Sequence, residues 1–259
     1  MKARIIAEIS RFVECHQRNE RTTIRWETPI VRCADAEDPL FAELKRVASQ
    51  EHLLPREMLA SAKTVVTFFL PFDGQVATSN IAGELASELW VVAYIETNTL
   101  ITAVCEHMRG FLESSGYQVA TTPATHNFDP QRLVSNWSHR HVGYIAGLGK
   151  FGLNNMLITE RGCCGRIGSL VTNLRIEPDR RSVNETCLHV YDASCSKCVR
   201  RCVNAALFED RFDRWRCHQM CLRNEEHFRA IGTADVCGKC LVGLPCSFTD
   251  PVKSKASSG

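Results

Sequence analysis

The sequence predicts two folded parts: an N-terminal α/β domain of the α+β kind over residues 1–182, and a small, mainly helical domain over residues 183–248. Helical and strand patterns mix throughout the first part, whereas in the second part strand patterns stop and cysteines accumulate. The boundary is expected near residues 177–185. With 259 residues, of which 44% are hydrophobic, the chain can form a real core. The small polar residues 249–259 predict a disordered tail.

Four segments of the first part predict helices. Residues 2–18 place apolar side chains at helical spacing, and residues 38–49 have the opening signals of a second helix. Residues 82–113 are mostly helix formers with apolar periodicity. A fourth helix is expected over residues 129–146, with Pro130 in its first turn.

The strand signals lie between these helices. Residues 63–70, "KTVVTFFL", are β-branched and aromatic and end at "PFDG", which predicts a buried strand. A shorter strand is expected over residues 117–121. Residues 154–159 and 166–176 predict two more strands around a turn that contains Gly162.

The charge of the chain is nearly balanced, with 31 basic and 29 acidic residues and a net charge of +2. That balance predicts no strong surface field, so neither a nucleic-acid partner nor a membrane surface is expected. The N-terminal segment lacks the apolar stretch and cleavage site of a secretory signal, and the longest apolar runs are too short to span a bilayer. We therefore expect a cytoplasmic protein.

The 14 cysteines do not indicate disulfides, because thiol buffers keep the cytoplasm reducing. Nine of them form two groups, the first with the spacing C-x2-C-x3-C after one earlier cysteine, and the second containing "CGKCLVGLPC". Two tight groups that each end in a more distant cysteine are typical of a two-cluster ferredoxin, in which the last cysteine of each run ligates the other [4Fe–4S] cluster. The predicted ligands are Cys187, Cys195, Cys198, Cys202, Cys217, Cys237, Cys240 and Cys246.

These groups depart in places from the usual run, C-x2-C-x2-C-x3-C-P. Asp192 stands where the first cysteine is expected, so we infer that Cys187 replaces that ligand, with Asp192 as an oxygen ligand in the alternative. The second group has a spare cysteine, and Cys217 is favoured as the ligand over Cys221, one helical turn later. Structural zinc is the competing interpretation, but C-x2-C-x3-C is poor zinc spacing.

The other cysteines lie outside these groups. Cys15, Cys33 and Cys105 are scattered, and we expect them to be small buried apolar residues. Cys163 and Cys164 are adjacent and either react with oxidants or simply pack in the core. Packing is the favoured interpretation, because adjacent cysteines rarely form a disulfide.

A glycine-rich loop, "GLGKFG" at residues 147–152, matches G-x-G-x-x-G. In a dinucleotide site this motif follows a strand and opens a helix, whereas here a predicted helix precedes it and a predicted strand follows it. The loop therefore does not predict nicotinamide binding. Its glycines indicate that the backbone passes close to a neighbour or a ligand.

The segments "AGLGKFGLNNMLIT" and "GRIGSLVTNL", followed by the two cysteine groups, resemble epoxyqueuosine reductases and the catalytic subunits of corrinoid-dependent reductive dehalogenases. The resemblance extends from about residue 60 to residue 248. It implies a nitroreductase-like N-terminal domain that holds cobalamin, to which the two clusters pass low-potential electrons. The implied cofactor contacts are Gly147, Leu148, Gly149, Lys150, Phe151, Gly152 and Arg166.

The resemblance is incomplete at the reaction site. Epoxyqueuosine reductases carry a general-acid aspartate before the glycine loop, and the matching position here is Leu133, with Asp129 a turn away. His139, His141 and Tyr144 precede the loop and are the candidate proton donors, unless the histidines lie on a solvated helix face.

The sequence therefore predicts an iron–sulfur oxidoreductase with two [4Fe–4S] clusters and a cobalamin. The expected partners are a low-potential electron donor of the ferredoxin or flavodoxin type and a small-molecule or modified-nucleoside substrate. The alternative is an electron-transfer protein that binds no corrinoid and catalyses no reaction. Loss of the aspartate favours this alternative, whereas the intact glycine loop disfavours it.

Overall fold

The computed structural model describes residues 1–256, and its α-helices alternate with short strands in the first two thirds of the chain. The helices are α1 (Lys2–Asn19), α2 (Leu40–Val47), α3 (Pro55–Met58), α4 (Gly74–Ser79), α5 (Glu88–Glu113), α6 (His139–Ile145), α7 (Leu188–Asp192), α8 (Lys197–Arg201), α9 (Arg214–His227) and α10 (Pro251–Ala256). The strands are β1 (Ile30–Asp35), β2 (Thr64–Pro71), β3 (Val119–Thr121), β4 (Phe128–Asp129), β5 (Val134–Ser135), β6 (Gly149–Phe151), β7 (Leu157–Thr159) and β8 (Gly165–Thr172). None of these helices is long and apolar enough to cross a membrane.

The central sheet has the strand order β1-β2-β8-β3, and all of its neighbouring strands are antiparallel. Every residue of β2 is buried, which explains why its sequence is apolar without alternation. Val66, Phe68 and Leu70 of β2 pack in a core with α1 and α5, while Val65 packs on the opposite face with α2 and α6. Helices therefore cover both faces of the sheet.

The expected helix over residues 129–146 is wrong in its first half. Only His139–Ile145 is helical, and the preceding residues form the β4–β5 hairpin. The Asp129 carboxylate accepts hydrogen bonds from the backbone N–H groups of Gln131 and Arg132, and Leu133 has a φ of +53°. This local turn satisfies the backbone without a helix.

The expectation of a disordered tail is also wrong for most of its length, because Pro251–Ala256 forms α10. The buried Asp250 carboxylate accepts hydrogen bonds from the backbone N–H groups of Val252 and Lys253, as an N-cap residue does. Pro251 and Val252 are buried and anchor the helix. Residues 257–259 lie outside the described part of the chain.

After β8 the described residues contain short helices and one isolated bridge between Leu207 and Phe212, which matches the predicted change from strands to helices. This C-terminal part packs directly on the sheet domain. The backbone N–H of Cys163, between β7 and β8, donates to the carbonyl of Cys246 at 3.0 Å. At Gly162, where φ is +75°, a Cβ atom would lie 2.4 Å from the backbone nitrogen of Phe248, so only glycine fits.

Candidate functional site

The glycine-rich loop is a tight hairpin that packs against the protein's own backbone. Its strand β6 pairs with β7, and a Cβ atom on Gly149 would lie 2.2 Å from the carbonyl oxygen of Ile158. Gly147 has a φ of +83°, and a Cβ atom there would lie 3.0 Å from the carbonyl oxygen of Arg180. The close neighbour that the sequence predicts is therefore protein, and a helix precedes the loop as expected.

The other side chains of the loop also have protein partners. The Lys150 ammonium forms an ion pair with Glu185 at 2.8 Å. The Phe151 ring lies 5.0 Å from the ring of His141 and 5.9 Å from that of Tyr144. Two of the three predicted proton donors thus face the hairpin, and burial lowers the pKa of His141 to about 4.

His139, the third candidate donor, lies on the opposite side of α6 in a hydrogen-bond chain. Its Nε2 is 3.1 Å from the carbonyl oxygen of Pro123, so Nε2 carries the proton and donates it. Its Nδ1 then accepts from the Ser169 hydroxyl at 2.8 Å, and that hydroxyl accepts from the Trp137 indole N–H at 2.9 Å. Burial lowers the pKa of His139 to about 4, so the ring is neutral at pH 7.

Arg140 extends from the same helix toward the cysteine-rich part. Its guanidinium donates to the carbonyl oxygen of Asn155 at 2.7 Å and lies 3.3 Å from the sulfur of Met156. Burial lowers the pKa of Arg140, and the nearby thiols of Cys217 and Cys240 act against that shift. The side chain is nevertheless solvent-accessible, and we call the surface that it shares with Arg166, beside the second cysteine group, the cleft.

Arg166, at the start of β8, lies beside the same cleft. Its guanidinium carbon is 4.3 Å from the centre of the Tyr94 ring, a cation–π contact. Burial lowers the pKa of Arg166, and Tyr94 and Asp235 act against that shift. Among the described residues its Nε has no hydrogen-bond partner. A buried donor without an acceptor is a position where a ligand carbonyl could bind.

Tyr94 brings a hydroxyl group to this cleft from the buried face of α5. The hydroxyl donates to Asp235 and is 2.8 Å from the hydroxyl of Thr125. Burial raises the pKa of Tyr94 to about 12, so the phenol is protonated at pH 7. The Asp235 carboxylate also lies 3.9 Å from the His126 ring.

We call this group the arginine–tyrosine site and define it by Tyr94, His139, Arg140, Arg166 and Asp235. Of these five residues, the sequence pointed only to His139 and Arg166. A tyrosine on the apolar face of a long helix is typical of a core residue. The only feature of Tyr94 that could have indicated a site residue was its hydroxyl group. Asp235 lies 141 residues from Tyr94, so only the fold brings the pair together.

The cysteine groups separate into two sets in space. Asn154 and several apolar side chains line a small pocket together with four cysteines, which form the first set. The first set is Cys187, Cys195, Cys198 and Cys246. The second set is Cys202, Cys217, Cys237 and Cys240. The first three of these thiols act electrostatically on Cys240, and Cys198 of the first set does so as well, so the two sets adjoin. Cys202 and Cys217 also act on Cys237.

The last cysteine of each run therefore lies with the cysteines of the other run. Burial raises the pKa of Cys198 to about 12 and that of Cys237 to about 11. Such thiols lose their protons only when a metal binds them. Within residues 1–256 no three His, Cys, Asp or Glu side chains are arranged to hold a single metal ion.

The sequence leaves two choices of cluster ligand open, and the contacts of the side chains concerned favour one answer to each. The thiols of Cys217 and Cys221 are hydrogen-bonded to each other. The Arg140 guanidinium lowers the pKa of Cys217, and Cys217 acts electrostatically on both Cys237 and Cys240, which favours Cys217 as a thiolate ligand. The Asp192 carboxylate pairs with Lys255 at 2.5 Å, outside the cavity of the first set.

No protein-family model matches the chain, and no curated protein matches it. Solved structures do match. Epoxyqueuosine reductase from Streptococcus thermophilus has a TM-score of 0.55 and 17% identity over 84% of this chain and 62% of that one. The Bacillus subtilis enzyme, with its catalytic aspartate loop swung out of the active site, has a TM-score of 0.58 and 16% identity over 95% and 66%.

The catabolic reductive dehalogenase NpRdhA, solved with 3-bromo-4-hydroxybenzoic acid, has a TM-score of 0.59 and 18% identity over 88% of this chain and 31% of that one. At these identities the comparisons show a shared fold, which confirms the structural resemblance that the sequence motifs indicate. The chain spans 62–66% of the length of the epoxyqueuosine reductases and about a third of the dehalogenase.

Proposed function

We propose that this protein is a cytoplasmic iron–sulfur oxidoreductase that carries two [4Fe–4S] clusters and passes their electrons to a cobalamin at the arginine–tyrosine site. The observation that carries the proposal is the placement of two crossed sets of four cysteines, one of them beside Arg140 of that site. Four thiolates around a cavity are the ligand set of a cubane. Structural neighbours named as a reductive dehalogenase and as epoxyqueuosine reductases support a redox function.

The residues of the cleft fit an amide-rich cofactor such as a corrinoid. The unpaired Nε–H of Arg166 would donate to a side-chain carbonyl, and the accessible guanidinium of Arg140 would meet polar groups at the cleft wall. When bound, cobalamin would supply a strongly reducing metal centre close to the second cysteine set. The glycine hairpin would stabilise the wall of the cleft without contacting the cofactor, because its close contacts are with protein.

Within this site Tyr94 is the proton donor that the contacts favour. Its phenol keeps a proton throughout the neutral range, and Asp235 fixes its hydroxyl group. After the proton leaves, the Arg166 guanidinium over the ring would stabilise the phenolate. His139 is neutral and donates to the carbonyl of Pro123, so it orients Ser169 and Trp137 rather than supplying a proton.

The partners follow from this chemistry. A low-potential donor of the ferredoxin or flavodoxin type would reduce the clusters, and the substrate would be a small molecule or a modified nucleoside. The neighbours include an epoxyqueuosine reductase solved with an epoxyqueuosine-modified tRNA stem loop and a dehalogenase solved with a brominated phenol. These two substrate classes are the first to assay.

The second candidate function is an electron carrier without corrinoid. Two observations favour it: the glycine hairpin and Lys150 are already occupied by protein contacts, and Leu133 stands where the related reductases have their general acid.

Anaerobic loading with iron, sulfide and cobalamin, followed by gel filtration and an absorption spectrum, separates the two functions. About eight irons and one corrinoid per chain would support the reductase. Retention of the irons without a corrinoid would support the electron-carrier function. A colourless protein that retains zinc instead would overturn both.

A further inference from the structure

The helices α7 and α10 form a surface over the first cysteine set. Leu188, the first residue of α7, and Pro251, the first residue of α10, both line the pocket that contains the four thiols. The two helices are joined by the ion pair between Asp192 and Lys255 at 2.5 Å. The exposed side chains of both helices therefore lie close to the first set.

Positive charge is concentrated around this set. The two segments that carry its thiols, residues 187–202 and 246–256, contain five basic and two acidic residues, a net charge of +3, whereas the whole chain has a net charge of +2. One of the two acidic residues, Asp250, is buried. Four of the basic residues are exposed: Lys197, Arg200, Lys253 and Lys255.

Two apolar side chains are exposed beside these charges. Val190 and Tyr191 of α7 are 51% and 56% exposed. Tyr191 directly precedes Asp192, the partner of Lys255, so α10 brings its positive charge to the same place. An apolar centre with a charged rim is typical of a protein–protein interface. We call the two apolar residues and the four exposed basic residues the basic surface.

We propose that the basic surface is the docking site for a small acidic electron-transfer protein that reduces the cluster of the first set. This inference rests on the proposed function, and it specifies where the low-potential donor binds. Positive charge on this surface would attract a protein with acidic residues around its redox centre, and Val190 and Tyr191 would contact that protein. One electron passes from the reduced donor to the oxidised cluster, with no bond formed and no proton transferred.

The position of the basic surface favours an electron donor over a nucleic acid. The second set lies beside Arg140 of the arginine–tyrosine site, which leaves the first set as the point where electrons enter. The rate of electron transfer falls steeply with distance, so a donor protein must bind close to the first set. A phosphate backbone would be attracted by the same charges but would gain nothing from that proximity.

The test uses the iron-loaded full chain and an acidic [2Fe–2S] ferredoxin of the plant type. Calorimetry measures binding of the oxidised ferredoxin at low and at high ionic strength, and anaerobic stopped-flow absorption follows cluster reduction by the reduced ferredoxin. In Lys197→Glu combined with Lys253→Glu we expect both binding and reduction to fall about tenfold at low ionic strength, because attraction becomes repulsion. The difference should largely disappear at high ionic strength, where exposed charges are screened. Tyr191→Ala should weaken binding roughly three- to tenfold at both ionic strengths.

The matched control is Lys45→Glu combined with Arg46→Glu, which changes the net charge by the same amount. These residues lie on α2, which packs on the opposite face of the sheet from the core that contains Cys187. The control variant should bind and accept electrons from ferredoxin as the wild type does. Every variant should be reduced completely by dithionite, a small reductant that needs no docking surface.

Equal weakening in both double variants would show an effect of net charge alone and would overturn the inference, as would unchanged binding in the test variant. Salt-dependent binding of an RNA that only the test variant loses, with ferredoxin binding unchanged, would assign the surface to nucleic acid and also overturn it. The iron and sulfide content of the wild-type chain, measured first, reports on the proposed function alone. A chain without iron would reject both proposals, whereas two clusters that ferredoxin reduces equally well in every variant would reject only this one.

Discussion

The two cysteine sets each contain four thiols but differ in their surroundings. The cavity of the first set is lined mainly by apolar residues such as Leu153, Ile158 and Leu244. The second set lies beside two cationic side chains, Arg140 in the cleft and the buried Lys239, whose amine donates to the carbonyls of Asn80 and Ala82. Positive charge stabilises a reduced, more negative cluster, so the second cluster should accept electrons from the first.

This difference predicts the direction of electron transfer between the two sets. The second set lies next to Arg140, and Arg140 leads to Arg166 and Tyr94 of the arginine–tyrosine site. Electrons would enter at the first set and leave from the second.

The largest expected effect is the loss of one cluster at a time. Cys198→Ala in the first set and Cys240→Ala in the second should each lower the iron content by roughly four of eight atoms. Cys15→Ala, a half-buried cysteine on α1, is the control and should keep all of its iron. If either cluster variant lost all of the iron, the two sets would not be independent sites and the comparison between them would fail.

The next effect concerns the site beside the second set. Tyr94→Phe should lower turnover of a brominated phenol or of epoxyqueuosine 10²- to 10⁴-fold, because it removes the proposed proton donor, while the iron content stays normal. Tyr144→Phe is the matched control, since Tyr144 packs against Phe151 of the hairpin instead. The pKa of Tyr94 is about 12, and the phenol is protonated below that value, so its contribution to the rate should not change between pH 6 and pH 9. Full activity in Tyr94→Phe with a loss in Tyr144→Phe would reverse this assignment.

A smaller effect should come from removing one cationic neighbour. Arg140→Met should reduce the equilibrium constant for reduction of the second cluster roughly tenfold, or about 59 mV, and leave the first cluster unchanged. Arg46→Met, on the exposed surface of α2, should shift neither potential. A redox titration that found both clusters shifted equally by Arg140→Met would show that this charge does not distinguish the two sets.

The sequence predicted the parts of this molecule that depend on local pattern. The apolar run of β2 identified a central strand because both of its faces are covered, and the cysteine spacing singled out the thiols that make up both proposed sets. The β4–β5 hairpin was missed because the Asp129 side chain replaces the helical hydrogen bonds with a turn. The contact of Tyr94 with Asp235 and that of Cys163 with Cys246 depend on tertiary packing across long sequence separations, which no local pattern encodes.

The last effect is a dependence of stability on pH that arises from His139 of the arginine–tyrosine site. Burial lowers the pKa of His139 to about 4, below the value of about 6.5 in an unfolded chain. The unfolded state therefore binds more protons between these two values, so the stabilising contribution is complete above pH 6.5 and is lost as the pH falls toward 4. At pH 5 the loss should reach at most about 2 kcal/mol, less where solvent reaches the ring.

His139→Gln should reduce the difference in the thermal unfolding midpoint between pH 7.5 and pH 5, and His16→Gln on α1 should leave it unchanged. A pH difference that stayed the same in His139→Gln would mean that His139 is not held as a neutral ring in the hydrogen-bond chain with Ser169 and Trp137.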